Sequence, residues 1–447
     1  MAASHGPRRV AVVALGCRVN RSDAESLLAA LGPGFAPAAQ GEPADWVVVN
    51  ACTVTSDAAS ATRKAVRRAG AEHPGARIVV AGCHESAEGE VLRRLPRVTA
   101  VVGAPAHAAL PGFLERLAAG EAAPAALSRA RASAPGFTAA PDARRGAARP
   151  VLKVQDGCDH GCAYCAVPAA RGPSRSLPFL EALRRIAGVG AERPEVVLSG
   201  VHLGAYGRDL SPPSSLAALL RAAAGGRAVR RLRLSSVEPL EVPLEVLREE
   251  AAELLCRHLH LPLQSGSDGV LSAMGRPYRA RAFAAVVEEV ARSLPGLCLG
   301  ADVMTGFPGE SEEDHRRTLA LVGSLPLSYL HVFPFSPRPG TRAALSPDRP
   351  PGPVASRRAG ELRAFSQERW QGFLRAQVGR VLEVVVERAG PELASGTSSE
   401  FARVRFPPAG ASRGDLVRVR VEGVGAGHCT GSVEGPRPGP PPSGGRT

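Results

Sequence analysis

Six of the nine cysteines fall into two arrangements that could do chemistry. Cys158, Cys162 and Cys165 stand in QDGCDHGCAYC, a C-x3-C-x2-C array. Three thiolates this close suit three irons of a cubane 4Fe–4S cluster, which takes four cysteines when it is fully ligated by protein. No fourth cysteine is near, so one iron is left open to chelate the amino and carboxylate groups of S-adenosylmethionine. Electron transfer into the sulfonium would then break a C–S bond and give the 5′-deoxyadenosyl radical. The alternative is zinc, with His160 as fourth ligand. Structural zinc usually pairs C-x2-4-C elements across a longer loop, a spacing that this triplet does not have.

The other three cysteines are dispersed. Cys17, Cys52 and Cys83 each follow a short apolar run and precede a helical pattern. Strands are expected at Val10–Leu15, Trp46–Val49 and Arg77–Ala81. Helices are expected from Asp23 to Leu31 behind Ser22, from Ser56 to about Gly70, and from Ser86. Such βα alternation makes an open parallel sheet with helices on its faces. Its strand ends share one rim, where ligands bind. Three thiols gathered there would ligate an iron–sulfur cluster or zinc. The alternative is three small buried packing residues. Asn20 and Asn50 are placed to support the strand-end loops.

Strands are also expected at Val151–Val154, Glu195–Leu198, Arg230–Ser235, His258–Leu261, Cys298–Thr305 and Ser328–Pro334. Helical patterns between them include Glu181–Ala187, Ala282–Arg292 and Glu312–Val322, the last behind a Ser311/Asp314 capping box. Six βα units are too few for a closed eight-stranded barrel and suit an open one. Four polar and Gly-rich clusters follow these strands: SGVHLGAYG, SSVEP, LPLQSGSDG and DVMTGFPGE. They belong at the carboxyl ends, where a barrel builds its site. Glu238 and Gln264, with Ser199 and Gly200, are the cofactor-contact candidates. His202 and Tyr206 are the substrate-side candidates.

With 447 residues, 44% of them apolar and 22% charged, the composition is that of a soluble multidomain globular chain. The formal charge of +13 suits an acidic partner such as RNA. No apolar run approaches the ~18 residues of a membrane span. The opening MAASHGPRRV lacks a signal-peptide core, so a reducing cytoplasm is expected, with cysteines kept for metal or redox work. Residues 121–149 read as an Ala-, Pro- and Arg-rich linker carrying Arg129, Arg131, Arg144, Arg145 and Arg149. VLEVVVE, FARVRF and DLVRVRVEGV alternate apolar and polar residues as strands of a small β-barrel. Arg403, Arg405, Arg418 and Arg420 alternate along them. The tail from residue 434 is too rich in Pro and Gly to pack. Cys256, Cys298 and Cys429 have no cluster spacing and are expected to be packing residues.

The three dispersed cysteines, the C-x3-C-x2-C array and the SGS and GFPGE segments resemble the radical S-adenosylmethionine methylthiotransferases over almost the whole chain. SGVHLGAYGRDL, HLHLPLQSGSDGVLSAM and LHVFPFSPRPGT look like the branch acting on tRNA N6-threonylcarbamoyladenosine. The resemblance implies an α/β fold of three parts. Residues 1–120 form an N-terminal domain whose Cys17, Cys52 and Cys83 bind an auxiliary 4Fe–4S cluster. Residues 150–376 form a partial (β/α)6 radical domain whose cluster is held by Cys158, Cys162 and Cys165, with Tyr164 near the adenine of S-adenosylmethionine. Residues 377–433 form a TRAM domain, an OB-like RNA-binding barrel.

The implied reaction uses S-adenosylmethionine twice. One molecule methylates sulfide on the auxiliary cluster; the radical from a second takes the hydrogen from adenine C2, and the methylthio group is captured there. The implied partners are a tRNA anticodon stem-loop, an electron donor and a sulfur donor. An adenine in an anticodon loop is unstacked cheaply. Two departures bear on the cluster surroundings: His84 and Glu85 replace the common Tyr-Ala after the third cysteine, and AVPAARG lacks the aromatic often found before Ala-Arg-Gly. Isopentenyladenosine tRNA and a ribosomal-protein aspartate are the alternative substrates. A non-catalytic iron–sulfur or zinc RNA-binding protein is the alternative of another class.

Overall fold

WVVVNA and RIVVAG are runs without polar alternation, as strands buried on both faces require. In the computed structural model, which describes residues 6–39, 41–52, 56–121, 137, 147–227 and 229–435, they are the central strands of a five-stranded parallel sheet. Its strands are β1 (Arg8–Ala14), β2 (Phe35–Pro37), β3 (Trp46–Ala51), β4 (Arg77–Gly82) and β5 (Val98–Gly103), in the order β2-β1-β3-β4-β5. The helices are α1 (Arg18–Ala29), α2 (Ser56–Glu72), α3 (Glu85–Arg93) and α4 (Leu110–Ala118). Trp46 and Val48 pack with Leu27, Leu110 and Leu114. Val47 and Val49 point the other way, to Val66, Ala69 and Leu92. This period of two builds one core on each face of the sheet.

The described residues fall into two compact units, the first within Met1–Asp142, Gln155–Leu177 and Ser336–Ala344, the second within Ala143–Val154, Pro178–Phe335 and Leu345–Thr447. The first adds the cysteine loop, α5 (Val167–Arg171) and β7 (Arg175–Ser176) to the sheet domain. β7 runs antiparallel to the end of β6 (Val151–Asp156).

The second unit carries the strands of a partial barrel. β8 (Glu195–Gly200) and β9 (Arg231–Leu234) are parallel and continue the sheet of β6. β10 (His258–Gln264), β11 (Cys298–Thr305) and β12 (Tyr329–Pro334) form a second parallel arc. Helices α6 (Phe179–Gly190), α7 (Leu216–Gly226), α8 (Asp268–Ala273), α9 (Ala280–Ser293) and α10 (Glu312–Ser324) lie between the strands in sequence. The expected capping box is formed: Ser311 Oγ accepts from the Asp314 amide and the Asp314 carboxylate accepts from the Ser311 amide. α11 (Gly352–Arg375) packs along β12 and supplies Leu374 to the core of a closed five-stranded barrel.

That barrel comprises β13 (Val381–Ala389), β14 (Ala394–Ser398), β15 (Arg403–Phe406), β16 (Leu416–Gly425) and β17 (His428–Val433), in the order β13-β14-β15-β17-β16. Buried β9 arginines hold it. Arg233 donates to the carbonyls of Ser398 (2.8 Å) and Ser399 (3.2 Å), and Arg231 to those of Glu383 (3.0 Å) and Thr397 (3.3 Å). Both guanidiniums also bind Glu195, as does Arg149. Among the described residues no helix is long and apolar enough to cross a membrane.

One expectation needs correction, and the fold adds elements beyond those expected. The first helix starts at Arg18, not Asp23, with Cys17 as its N-cap residue, so Ser22 lies inside the helix. Edge strands β2 and β5 flank the three strands expected in the first sheet. α11 was not expected. β14 and β17, spelled ASGTS and HCTGSV, complete the small barrel; their small polar residues carry little β signal. Arg129, Arg131, Arg144 and Arg145 of the linker, and the tail beyond residue 435, lie outside the described residues.

Candidate active site

β1, β3 and β4 are neighbours in the sheet, and each ends just before one dispersed cysteine. Cys17 follows β1 and is exposed; Cys52 follows β3 and Cys83 follows β4, both buried. Adjacent strands lie about 4.8 Å apart, so the topology gathers the three sulfurs. The local backbone is arranged for that approach. A Cβ on Gly16 would lie 2.5 Å from Cys52 Sγ, and one on Gly82 would lie 2.5 Å from the Ala51 carbonyl. Both glycines also have positive φ, +83° and +111°. Asn20 Nδ2 donates to the carbonyls of Leu15 (3.0 Å) and Ala51 (2.8 Å), and Asn50 Nδ2 donates to the Asn20 carbonyl (2.7 Å). The two asparagines tie the strand-end loops together, as expected.

Burial pushes the Cys83 thiol up to about 12; the neighbouring Arg171 pulls it down, and Cys17 and Cys52 add to the rise. A buried thiol with two more cysteine sulfurs beside it favours a cation that takes the set as thiolates. The set therefore fits a soft-metal centre. His84, which follows Cys83, is buried with Nε2 3.2 Å from Glu88 Oε2, and burial lowers its pKa.

Cys158, Cys162 and Cys165 lie together on the loop between β6 and α5, each partly exposed. The His160 amide donates to Cys158 Sγ and the Val167 amide to Cys165 Sγ, both at 3.4 Å. Amides aimed at sulfur suit metal-bound thiolates. Tyr164 is half-buried on the same loop.

The barrel-strand candidates divide. Gln264 ends β10 in a left-handed conformation, φ +70°, at a register shift in the β10–β11 pairing. A non-glycine residue held there costs about 1–3 kcal/mol, a strain found most often at functional sites. Among the described residues its buried Oε1 has no hydrogen-bond partner, and neither do Ser199 Oγ at the end of β8 and Ser235 Oγ after β9. Buried polar atoms left unmatched at three strand ends fit a polar ligand such as S-adenosylmethionine. Gly200 closes β8 beside Ser199.

Glu238 is instead committed to Arg276, whose Nη2 also donates to Tyr278 Oη at 3.0 Å. His202 Nε2 lies 2.6 Å from Glu241 Oε2, and Arg208 binds the other oxygen at 2.8 Å. Burial would raise Glu241, but these two partners outweigh it and hold the carboxyl below its usual range. Tyr206 is fully enclosed, 0% exposed, so it offers no surface to substrate.

Two groups escaped the sequence. Arg171 is buried and reaches Cys83, Asp156, Asn20 and Asp23; its only signal was an arginine in the apolar VPAARG segment after the cysteine triplet. Asp302 on β11 lies 2.9 Å from His260 Nε2 on β10 and 3.5 Å from His331 Nδ1 on β12. Burial would raise its carboxyl, but the two imidazoles hold it far below its usual range. Alternation along HLHLP and YLHVF was the available signal.

Residues 9–103 match the Uncharacterized protein family UPF0004, and residues 152–322 match the Radical SAM superfamily. The chain is 33% identical to the tRNA-2-methylthio-N(6)-dimethylallyladenosine synthase of Erythrobacter litoralis, covering 97% of this chain and 99% of that one. It is 34% identical to the enzyme of that name in Sphingopyxis alaskensis, over 94% and 97% of the two chains. It is 31% identical to the threonylcarbamoyladenosine tRNA methylthiotransferase MtaB of Bacillus subtilis, over 92% and 93%. Its fold is similar to that of the radical S-adenosylmethionine methyltransferase TsrM of Kitasatospora setae, with a TM-score of 0.56 at 15% identity over 76% and 77% of the chains. With about a third of its residues shared along almost the full length of such relatives, the chain belongs to the radical S-adenosylmethionine methylthiotransferases, enzymes whose cofactors are S-adenosylmethionine and 4Fe–4S clusters.

Proposed function

We propose that this enzyme adds a methylthio group to C2 of N6-threonylcarbamoyladenosine, 3′ of a tRNA anticodon. Residues 1–120 hold the auxiliary cluster through Cys17, Cys52 and Cys83. Residues 150–376 hold the radical cluster through Cys158, Cys162 and Cys165 and take S-adenosylmethionine on Ser199, Gly200 and Gln264, with Tyr164 beside its adenine. When bound, these groups supply methylthio sulfur and a radical able to take hydrogen from an aromatic C–H, which has no proton acidic enough for a side-chain base.

The protein's own contribution is placement. Strand-end amides and glycines keep the sulfurs in reach, and unmatched polar atoms at the barrel strand ends orient the cofactor. Residues 377–433 contact tRNA as a TRAM domain. Arg403, Arg405, Arg418 and Arg420 are all exposed on β15 and β16, although Arg418 and Arg420 share Glu434. The reaction takes place in the cytoplasm and needs an external electron donor and sulfur donor.

The observation that carries the threonylcarbamoyl substrate is the polar group His260–Asp302–His331. His331 lies in LHVFPFSPRPGT and is 61% exposed, with Nδ1 turned to Asp302 and its other edge available. A threonylcarbamoyl group brings a carboxylate, a hydroxyl and ureido N–H groups to such a wall; a dimethylallyl group brings only hydrocarbon. The dimethylallyladenosine substrate is the second reading, favoured by relatives of that name at 33% and 34% identity.

Mass spectrometry of tRNA nucleosides with and without the gene separates the two. Loss of the methylthio form of threonylcarbamoyladenosine supports the proposal. Loss of only the methylthio form of dimethylallyladenosine overturns it in favour of the second.

A further inference from the structure

Arg171, at the C-terminal end of α5, is 2% exposed. Each of its nitrogens has a partner. Nε donates to Cys83 Sγ at 3.1 Å, Nη1 to Asp156 Oδ1 at 2.8 Å, and Nη2 to Asn20 Oδ1 at 2.6 Å and Asp23 Oδ2 at 3.0 Å. The side chains of Asp23 and Asp156 are each 1% exposed. A buried guanidinium needs such carboxylates, and the two here more than match its single charge. The bond to sulfur is additional. The planar fork, fixed at Nη1 and Nη2, aims Nε at Cys83.

The same residue reaches the second set of cysteines through its carboxylate. Asp156 Oδ1 also accepts from the Gly157 amide at 2.8 Å, one residue before Cys158. Arg175 Nη2 donates to the Arg171 carbonyl at 3.1 Å, which fastens the end of α5. One buried cation thus connects the end of β4 to the backbone that enters the C-x3-C-x2-C loop.

We infer that Arg171 is a positioning residue of the N-terminal metal centre, holding the Cys83 sulfur at the strand end and raising the reduction potential of the cluster that Cys83 ligates. This rests on the ligand assignment made under the proposed function. A hydrogen bond and a positive charge at a ligand sulfur stabilise the reduced, more negative cluster more than the oxidised one, and so move the potential upward.

The test uses the full chain with Cys158, Cys162 and Cys165 changed to alanine, reconstituted anaerobically with iron and sulfide. The remaining centre is titrated by EPR at controlled potential. Two changes are compared with this background: Arg171→Lys, and the pair Arg171→Gln with Asp156→Asn. The pair removes one positive and one negative charge together, and Asp23 keeps His107 Nδ1 at 3.1 Å, so no carboxylate is stranded. The expected result is that the pair becomes about tenfold harder to reduce, about 59 mV for one electron. Arg171→Lys, which keeps charge but not the fork, should show part of that shift. Loss of cluster uptake in both variants with an unchanged unfolding temperature also supports the inference.

Equal potentials at equal iron content in all three proteins overturn it and leave Arg171 a structural ion pair. A background that takes up no cluster overturns the ligand assignment itself, which distinguishes the two failures.

Discussion

The Cys52 sulfur lies 2.5 Å from the point where a side chain on Gly16 would begin, and its Cβ lies 2.4 Å from that point. Gly16 therefore sets how closely the β1 and β3 ends approach. Its φ of +83° adds a second reason against any other residue. Gly16→Ala should displace Cys52 or Cys17 and lower iron uptake at the N-terminal centre while the C-x3-C-x2-C cluster persists. Iron and sulfide per chain, measured with and without Cys158, Cys162 and Cys165, check this. Full uptake by the alanine variant would show that the strand ends have room to spare.

The two cysteine sets should separate by activity. Cys158→Ala removes a sulfur that receives the His160 amide on its loop and should abolish reductive cleavage of S-adenosylmethionine. Cys52→Ala lies at a different strand end and should spare cleavage while stopping methylthio transfer. The yields of 5′-deoxyadenosine and of methylthiolated nucleoside, measured in one assay, report both. Equal loss of both products from each variant would refute the division of labour.

The placement of the six cysteines was legible because it depends on local spacing and on the residues that follow each strand. The strand order placing β1, β3 and β4 side by side also follows from βα alternation. Arg171 was not legible, because its partners Asn20, Asp23 and Cys83 are distant in the chain and no periodicity links them to it. Cys17 as a helix N-cap was hidden for a related reason: Ser22 is a better capping residue by type, yet both Ser22 and Asp23 are buried, and Asp23 is engaged by Arg171 and His107. Tyr206 and Glu238 looked like site residues from their Gly-rich or polar surroundings, and packing gave them to the interior and to Arg276 instead. Gln264 was legible in position, but its strained backbone was not.

Gln264 should report on cofactor binding. Its buried Oε1 has no partner among the described residues, and its backbone is held in a left-handed turn. Gln264→Ala removes the acceptor and keeps the strain, and should weaken S-adenosylmethionine binding roughly tenfold, ~1.4 kcal/mol. Gln264→Gly removes the acceptor and relieves the strain, so it should bind as weakly as alanine yet unfold at a higher temperature. Isothermal titration of the reconstituted enzyme and thermal unfolding separate the two effects. Unchanged affinity in both variants would remove Gln264 from the cofactor site.

Glu195 should give the protein a defined acid limb. Burial would raise its carboxyl, but Arg233, Arg231 and Arg149 outweigh that and hold it far below the usual glutamate range. A carboxyl whose folded pKa is depressed contributes its full stabilisation above the unfolded value, ~4.3, and loses it as pH falls toward the folded value. Glu195→Gln leaves Arg231 and Arg233 short of a negative partner and should cost about 3–5 kcal/mol at neutral pH. It should also loosen the small barrel, because those arginines hold the carbonyls of Thr397, Ser398 and Ser399. Denaturant unfolding of both proteins from pH 7 down to pH 4 and below checks the sign. The gap between them should stay constant above about pH 5 and narrow below it, as Glu195 of the unfolded wild-type chain takes up a proton that the folded chain does not. A gap that widens on acidification, or none at neutral pH, would mean that the arginines are satisfied by backbone carbonyls alone.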